Sequence, residues 1–295
     1  MNAKRYRIIF NRVRGLFMAV AEFASAHGNS AGNTPARDAG QPAQHACGLA
    51  LATLRPAVFA VLLALGAQLG LVSMARAQIV AYKPAPGSQQ ATVLNAGNGV
   101  PLVNIQTPGA AGVSRNTYSQ FDVGSPGAIL NNSRTNVQTQ LGGWVQGNPW
   151  LAGGSARVIL NEVVSSNPSA LNGYVEVAGS AAQVVIANPA GISCNGCGFV
   201  NASRATLTTG TPVMNGDTLE GYRVSGGTIR IEGAGMDASR VGYTDLIARA
   251  VEVNAGLWAQ TLKVTAGANT VDADNSQATP IAPASGASPA FAIDV

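Results

Sequence analysis

Three segments in the second half of the sequence repeat one pattern, in which alternating apolar residues are followed by glycine. They are residues 229–235 (IRIEGAG), 251–256 (VEVNAG) and 262–267 (LKVTAG), and they start 22 and then 11 residues apart. Alternation places the apolar side chains of each segment on one face of a short strand. Such a strand cannot bury that face alone, whereas stacked repeats of about 20 residues can. The pattern therefore predicts a β-solenoid.

Short β-branched runs of the same kind recur after residue 78, each bounded by Gly, Asn or Ser. They include RVILN at 157–161, YVEV at 174–177, QVVIA at 183–187 and ATLTT at 205–209. Residues 78–295 also contain eighteen Asn, and Gly and Asn suit corners that need positive φ. We predict a right-handed parallel β-helix. A β-sandwich, which also has short, closely spaced strands, is the alternative.

Composition and charge restrict the class of protein. Only 11% of the residues are charged, whereas soluble domains carry about 25%, and frequent Val, Ile and Leu argue against disorder. Residues 1–77 hold eight of the 18 Lys and Arg but only two of the 14 Asp and Glu. The remainder is slightly acidic, so we predict no nucleic-acid partner.

The basic first part of the chain ends like a secretory signal peptide. Residues 57–74 (AVFAVLLALGAQLGLVSM) are apolar, and the small residues Ala75 and Ala77 precede Gln78. A basic region, an apolar region and an A-x-A end predict export by the inner-membrane Sec machinery and cleavage between Ala77 and Gln78. A transmembrane anchor is the alternative, since about 17–25 apolar residues can span a bilayer.

A second basic and apolar block, RYRIIFNRVRGLFMAVAEFA at residues 5–24, precedes that signal. By itself it could form an amphipathic helix at a membrane surface. The block resembles the extended signal peptide region of very large two-partner secretion exoproteins and some autotransporters. That resemblance implies an exported protein of a Gram-negative bacterium.

Residues 143–210 contain two Asn-Pro turns. The first is Asn148, Pro149, Trp150 and Leu151, and the second is Asn188, Pro189, Ala190, Gly191 and Ile192. Asn-Pro favours a tight turn because Pro fixes φ and the Asn side chain bonds to nearby backbone. On the residues alone, plain turn chemistry accounts for both.

The same region resembles the N-terminal secretion domain of filamentous-haemagglutinin-type exoproteins, including the large contact-dependent growth inhibition toxins of the CdiA class. That family has two motifs, NPNL and NPNGI, whose third residue is replaced here by Trp150 and Ala190. The resemblance implies that residues 148–151 help to present the domain to the periplasmic domains of an outer-membrane two-partner secretion transporter. It implies that residues 188–192 form a structural turn between coils.

Cys194-Asn195-Gly196-Cys197 is a C-x-x-C sequence. A thioredoxin-like dithiol would need a βαβ context, which the sequence lacks, and two cysteines without further ligands cannot complete a zinc site. After export the pair should be oxidised. We predict a structural disulfide, with a redox role as the alternative.

Other chemistry finds little support, and we predict no catalytic residues, no metal and no cofactor. Both histidines, His27 and His45, precede the cleavage site, so a Ser-His-Asp or Cys-His arrangement is excluded from the mature body. The scattered acids lack calcium-ligand spacing; they are Asp237, Asp245, Glu252, Asp272 and Asp274. Trp144, Trp150 and Trp258 either contact a partner or fill the ends of the solenoid core.

The predicted fold is all-β: a right-handed parallel β-helix with extra-helical hairpins, preceded by a long helical signal region. The regions are an extended signal peptide region (1–24), a spacer (25–56), the apolar region and cleavage site (57–77), the β-helix (78–271) and a Pro- and Ala-rich excursion (272–295). Because the sequence stops at Val295 in what resembles a new strand, we expect a fragment or truncated copy of something longer.

These patterns favour a non-enzymatic secretion and recognition module that reaches the cell surface or the medium through the periplasm. An adhesin that binds host or bacterial cells through its solenoid is the alternative. A secreted carbohydrate-active enzyme would need a carboxylate cluster on one outer face, and the sequence indicates none.

Overall fold

A computed structural model describes residues 6–11, 16–21, 78–281 and 291–293. In the leader it contains two strands, β1 (Tyr6–Asn11) and β2 (Leu16–Ala21), which pair antiparallel. The expected long helical signal region is therefore not supported, and at these two segments the expectation is corrected. Ile8, Ile9 and Phe10 belong to the β-branched and aromatic types that favour strands.

The rest of the leader, including the apolar segment 57–77, lies outside the described residues. Within the described ranges, no helix is long and apolar enough to cross a membrane. Gln78, the residue after the expected cleavage site, is exposed and immediately precedes the first strand of the body.

The body winds into coils that contribute strands to three sheets, which is the architecture of a β-helix. Sheet 1 contains β3 (Ile79–Ala81), β6 (Val113–Phe121), β10 (Val158–Val163), β13 (Ala182–Ala187), β16 (Ala202–Thr208), β21 (Tyr243–Ala248) and β24 (Leu262–Ala266). Sheet 2 contains β11 (Ser169–Leu171), β14 (Ile192–Cys194), β19 (Thr228–Ile231), β22 (Ala250–Val253) and β27 (Phe291–Ile293). Sheet 3 contains β4 (Thr92–Asn95), β5 (Pro101–Asn104), β7 (Ala128–Asn132), β12 (Tyr174–Gly179), β15 (Cys197–Val200), β20 (Met236–Ala238) and β23 (Leu257–Ala259).

Smaller elements lie outside the coils. The cover sheet is antiparallel and contains β17 (Thr211–Asn215), β18 (Thr218–Val224), β25 (Asn269–Asp272) and β26 (Ala278–Pro280). The side hairpin consists of β8 (Val137–Thr139) and β9 (Gly143–Val145). Two short 3-10 helices span Gly87–Gln89 and Pro149–Leu151.

Parallel pairing between successive coils aligns identical positions into columns. Ile186 of β13 lies opposite Leu207 of β16, which lies opposite Leu246 of β21. All three side chains are completely buried in the central core. Each coil therefore completes the apolar environment of the next one, as the repeat pattern requires.

Two of the three sequence repeats stack directly, because Ile229 of β19 lies opposite Val251 of β22. The third repeat begins at Leu262, which belongs to β24 in sheet 1. The two offsets have different meanings: 22 residues return the chain to the same sheet, whereas 11 residues carry it to a different one.

A second core covers the outer surface of sheet 1. Leu160 and Val185 point away from the central core and pack with Tyr222, Val224 and Val271 of the cover sheet. Both surfaces of sheet 1 are therefore buried here. This explains why residues 184–187 of β13 (VVIA) form a continuous apolar run instead of alternating with polar residues.

The first coils are closed by strands that run against the parallel direction. Strand β3 pairs antiparallel with β6, and β4 pairs antiparallel with β5. The rings of Tyr118 and Phe121 on β6 meet edge to face, with their centroids 5.0 Å apart. The N-terminal end of the solenoid is thereby covered by aromatic and aliphatic side chains.

The chain leaves the coils after β24, where β25 begins at Asn269, and pairs with them again at residues 291–293. Strands β25 and β26 extend the cover sheet, and β27 pairs in parallel with β22 of sheet 2. The predicted boundary between residues 271 and 272 falls inside β25, and Val271, just before it, packs in the second core.

Two buried tyrosines differ in whether their hydroxyl groups form a hydrogen bond. Tyr118 donates to Oδ1 of Asn161 at 3.1 Å. The hydroxyl of Tyr222 has no hydrogen-bond partner among the described residues. Burial raises the pKa of both phenols above the ordinary value, so both are neutral at physiological pH.

We predict opposite effects when each hydroxyl is removed. Tyr118→Phe should lower the free energy of unfolding by about 1 kcal/mol, because Asn161 loses its partner. Tyr222→Phe should leave it unchanged or raise it by up to about 1 kcal/mol, because a buried unpaired hydroxyl disappears. Urea unfolding of the two variants compares them directly, and an equal loss in both would contradict the assignment.

Candidate functional site

The first Asn-Pro turn is organised by the buried side chain of Asn148. Its Nδ2 donates to the carbonyl oxygens of Ile105 at 2.8 Å and Asn131 at 2.9 Å. Its Oδ1 accepts the backbone N–H of Trp150 at 3.0 Å. One amide group thus joins three parts of the chain and caps the 3-10 helix Pro149–Leu151.

The two residues that follow Pro149 have opposite surroundings. Leu151 is fully buried in the central core. Trp150 is 45% exposed. Its indole Nε1 donates to Oγ1 of Thr92 at 3.3 Å, and its carbonyl oxygen accepts from Oγ1 of Thr107 at 2.7 Å. Leu151 therefore anchors the turn and Trp150 is presented at the surface.

The second Asn-Pro turn has the same internal geometry. Nδ2 of Asn188 donates to the carbonyl oxygen of Asn167 and to Oγ of Ser169, both at 2.9 Å. Oδ1 of Asn188 accepts the backbone N–H of Ala190 at 2.9 Å. The following Gly191 has a φ of +121°, which glycine adopts more readily than other residues.

This shared geometry explains how the third position of each motif can vary. The side chains of Trp150 and Ala190 are both exposed, whereas Asn148 and Asn188 make the buried bonds. Neither departure from the family's Asn disturbs its turn. The two motifs differ in their surroundings: the second links β13 to β14, whereas the first borders an open groove.

The groove lies beside sheet 3 at the N-terminal end of the solenoid and has a volume of about 550 Å³. Three large apolar side chains that border it are exposed: Leu94 by 47%, Trp144 by 70% and Trp150 by 45%. None of its lining residues is charged. An exposed apolar cluster of this kind is typical of a protein-contact surface.

Trp144 is carried by the side hairpin, which a buried carboxylate holds in place. Glu176 on β12 accepts the backbone N–H of Gln140 at 2.7 Å and of Leu141 at 2.8 Å. Val145 of the same hairpin packs with Ile129 on the outer surface of sheet 3. The sequence offered a weak signal for this hairpin in Gly142-Gly143, but none for its contact with Glu176.

The structure places all three tryptophans at the surface, which leaves partner contact as a prediction and shows that the alternative, filling the ends of the core, is wrong. Trp144, Trp150 and Trp258 are between 45% and 70% exposed, and none fills the end of the core. Trp144 and Trp150 border the groove, whereas Trp258 lies on a later coil of sheet 3. Two of the three are thus brought together.

Cys194 ends β14 and Cys197 begins β15, so the pair spans the corner between sheets 2 and 3. Their sulfur atoms are joined, and the Cα atoms are 5.3 Å apart. Both cysteines are buried and belong to the central core. The disulfide therefore links the two strands covalently across a tight corner.

The scattered acids do not assemble into one site. Asp245 pairs with Arg204 at 2.6 Å, and Glu252 pairs with Arg230 at 2.8 Å. Asp272 accepts bonds from its own turn, including Oγ of Ser276 at 2.6 Å. Among the described residues, no group of three or more His, Cys, Asp or Glu side chains could hold a metal ion.

Comparisons with known families find two matches along the chain. The model of the TPS secretion domain matches residues 77–295, and the model of the Extended Signal Peptide of Type V secretion system matches residues 1–53. The first match covers more than half of the chain and contains both Asn-Pro turns and the groove.

Similar proteins and a similar structure are also found. The chain is 52% identical over 295 residues to Toxin CdiA of Yersinia pestis and 50% identical over 298 residues to tRNA nuclease CdiA-2 of Burkholderia pseudomallei. All of this chain is aligned in both cases, but it spans only 9% of each relative. The crystal structure of a filamentous hemagglutinin secretion domain matches with a TM-score of 0.64 and 40% identity, covering 72% of this chain and 73% of that one.

We predict that the first residue of each motif controls stability and that the third does not. Asn148→Ala and Asn188→Ala should each lower the free energy of unfolding by roughly 2–4 kcal/mol, because three bonds are lost and buried backbone groups stay unpaired. Ala190→Asn is the matched control and should change it by less than about 0.5 kcal/mol, since the side chain is exposed. Urea unfolding measures all three, and a comparable loss in the control would refute this division.

Removal of the disulfide should destabilise the folded chain moderately. Closing a loop this short restricts the unfolded chain by about 2 kcal/mol in the chain-entropy model. The double variant Cys194→Ala, Cys197→Ala should therefore unfold at lower urea concentration. Dithiothreitol should shift the parent protein in the same direction and leave the variant unaffected; a variant as stable as the parent would contradict the prediction.

Proposed function

Because this chain belongs to the family of TPS secretion domains, we propose that its groove and first Asn-Pro turn are the surface that a cognate outer-membrane transporter recognises. The TPS domain is a secretion-targeting module of two-partner secretion in CdiA-like exoproteins. With its extended signal peptide, the chain is exported through the periplasm to the cell surface or the medium.

The observation that carries this proposal is the position of Trp150. Its backbone is fixed by Asn148 and by Thr107, while nearly half of the residue is accessible. The indole is also held by its bond to Thr92, so it loses little conformational entropy when a partner covers it. Trp144 on the side hairpin extends the same apolar surface across the groove.

The groove is suited to a partner that offers an apolar surface. Its uncharged lining provides no ion pair for recognition, so burial of apolar area is the main source of affinity. We infer that the periplasmic domains of the transporter supply this apolar contact, and that the interaction depends little on salt.

Two further site assignments support the same role. We propose that residues 188–192 act as a structural corner, because the Asn188 bonds fix the chain between β13 and β14. We also propose that signal cleavage occurs between Ala77 and Gln78, where the exposed Gln78 immediately precedes β3. The mature chain would then begin at the capping strand of the solenoid.

We infer that folding outside the cell supplies the drive for secretion. Each coil exposes an apolar surface until the next coil stacks on it, as the column Ile186, Leu207 and Leu246 illustrates. Burial of these faces after transit releases free energy and opposes return through the transporter. The capped first coils are the starting point for this stacking.

The relatives' toxin and nuclease names describe proteins of which this chain spans 9%. We assign no catalytic step to the described residues. We propose that the chain serves as the export module of a larger protein of that kind, whose killing activity lies in other parts of it.

We predict that Trp150→Ala lowers transporter-dependent secretion several-fold while leaving the fold intact, because the side chain contributes to the groove and not to the core. The chain is expressed in a Gram-negative host with and without a two-partner transporter, and mature protein starting at Gln78 is quantified in the medium. Tyr243→Ala is the matched control, since Tyr243 is 58% exposed on another sheet.

Each result of this experiment has one meaning. Transporter-dependent release that falls in the Trp150 variant but not in the Tyr243 variant supports recognition through the groove. Normal release of the Trp150 variant removes the groove from the mechanism. Retention of the parent chain in the periplasm with the transporter present counts against the secretion role of this chain.

A further inference from the structure

A row of four residues crosses the outer surface of sheet 3, remote in sequence from the groove. Tyr174 lies opposite Gly198, Gly198 lies opposite Asp237, and Asp237 lies opposite Trp258. The four positions belong to β12, β15, β20 and β23. Because neighbouring strands are about 4.8 Å apart, the row extends for about 14 Å.

The missing side chain at Gly198 lets the first aromatic ring lie along the sheet. A Cβ atom at this position would be 2.4 Å from Cε1 of Tyr174. The ring therefore covers the glycine, and its hydroxyl group donates to Oδ2 of Asp237 at 2.8 Å. Any larger residue at position 198 would displace Tyr174 from this arrangement.

Asp237 is fixed and ionised at the centre of the row. Its Oδ1 accepts from Oγ of Ser239 at 2.6 Å and from the backbone N–H of Ser239 at 3.0 Å. These bonds and the Tyr174 hydroxyl hold the pKa of Asp237 below its ordinary value. The carboxylate retains lone pairs that can accept bonds from a ligand.

Trp258 forms the far end of the row and is 56% exposed. Its neighbours Leu257 and Ala259 pack against the central core, so the indole is directed outward. A Cβ atom on Gly256 would lie 2.5 Å from Cη2 of the indole, so the ring is positioned over that glycine. As at Gly198, a glycine lets an aromatic ring lie close to the backbone.

Between the two rings is an open cavity of about 340 Å³. Its lining combines Tyr174 and Trp258 with Asp237 and Ser239, and the disulfide corner closes one side at Gly196 and Cys197. Arg240 lies close enough for its charge to favour the ionised form of Asp237. Asp237 is the one charged residue among those that line the cleft, so the cleft disfavours anionic ligands.

From this arrangement we propose that the row is a binding cleft for a neutral oligosaccharide. The apolar C–H face of a pyranose ring stacks on the exposed indole of Trp258, as apolar surfaces do on aromatic rings. The sugar hydroxyls donate to the fixed carboxylate of Asp237 and to the hydroxyl oxygens of Tyr174 and Ser239, whose own protons are donated to Asp237. The length of the row accommodates a few sugar units along an open surface.

A single carboxylate in the cleft gives it a binding role and no hydrolytic one, because glycoside hydrolysis uses a pair of acids that flank the bond. The cleft is separate from the groove proposed for the transporter. It would give the exported domain a surface with affinity for neutral glycans, and it does not depend on the secretion proposal.

The test uses the full chain, refolded from urea and checked by circular dichroism, so that it does not require secretion. Saturation-transfer NMR with cellohexaose and N-acetylchitohexaose measures binding, and hexagalacturonate provides an anionic comparison. We expect binding of at least one neutral probe. Trp258→Ala should weaken it by about tenfold or more, because the stacking surface is lost.

Two further variants distinguish specific binding in the cleft from non-specific binding to exposed aromatic residues. Tyr243→Ala, an exposed aromatic residue on sheet 1, should leave binding unchanged. Asp237→Asn should weaken binding while retaining the circular dichroism spectrum of the parent. Absence of binding to both neutral probes, an equal loss in the Tyr243 variant, or tighter binding of hexagalacturonate would each overturn the proposal.

Discussion

Stacking of one coil on the next is the constraint on which the rest of this structure depends. A strand of three to nine residues has an apolar inner face but too few neighbours within its own coil to bury it. The parallel register that aligns Ile186, Leu207 and Leu246 supplies those neighbours from adjacent coils. In the secretion role that we propose, this dependence is what gives export a direction, because each coil needs the preceding one to stack on.

The outer surfaces of the coils determine where other structure is added. Outer residues of sheet 1 are apolar near Leu160 and Val185, and the cover sheet buries them with Tyr222 and Val271. On sheet 3 the side hairpin covers Ile129, and Glu176 fixes its turn. Surface left uncovered on sheet 3 contains the groove near Trp150 and the row that ends at Trp258.

Much of the coil architecture was predictable because it follows from local patterns. The β-helix could be inferred from alternating apolar residues, and the two corner turns from Asn-Pro. The stacking of Ile229 on Val251 follows from a spacing of one coil. The leader shows the limit of this approach: a basic and apolar block suits an amphipathic helix, yet the described segments at 6–11 and 16–21 pair as strands. Composition alone did not distinguish a helix from paired strands in this block.

The candidate sites depended on contacts between residues far apart in the sequence. The hydrogen bonds of Asn148 reach Ile105 and Asn131, and the contact of Tyr174 with Asp237 spans 63 residues. No local sequence pattern predicts that Gly198 lies between Tyr174 and Asp237. Nor does one predict that Trp144 and Trp150 border the same groove. That all three tryptophans are exposed also depended on tertiary packing, because the sequence was equally compatible with positions in the core.

The sequence by itself determined that the chain is exported, that its body is a stacked β-solenoid, and which asparagines form its corners. These properties reside in short segments, where spacing and residue type act directly on the backbone. Only the tertiary structure decided which outer surfaces are covered and which remain open. The physical reason is that parallel pairing brings residues from successive coils side by side, so surface chemistry depends on register between distant segments and not on the order of neighbouring residues.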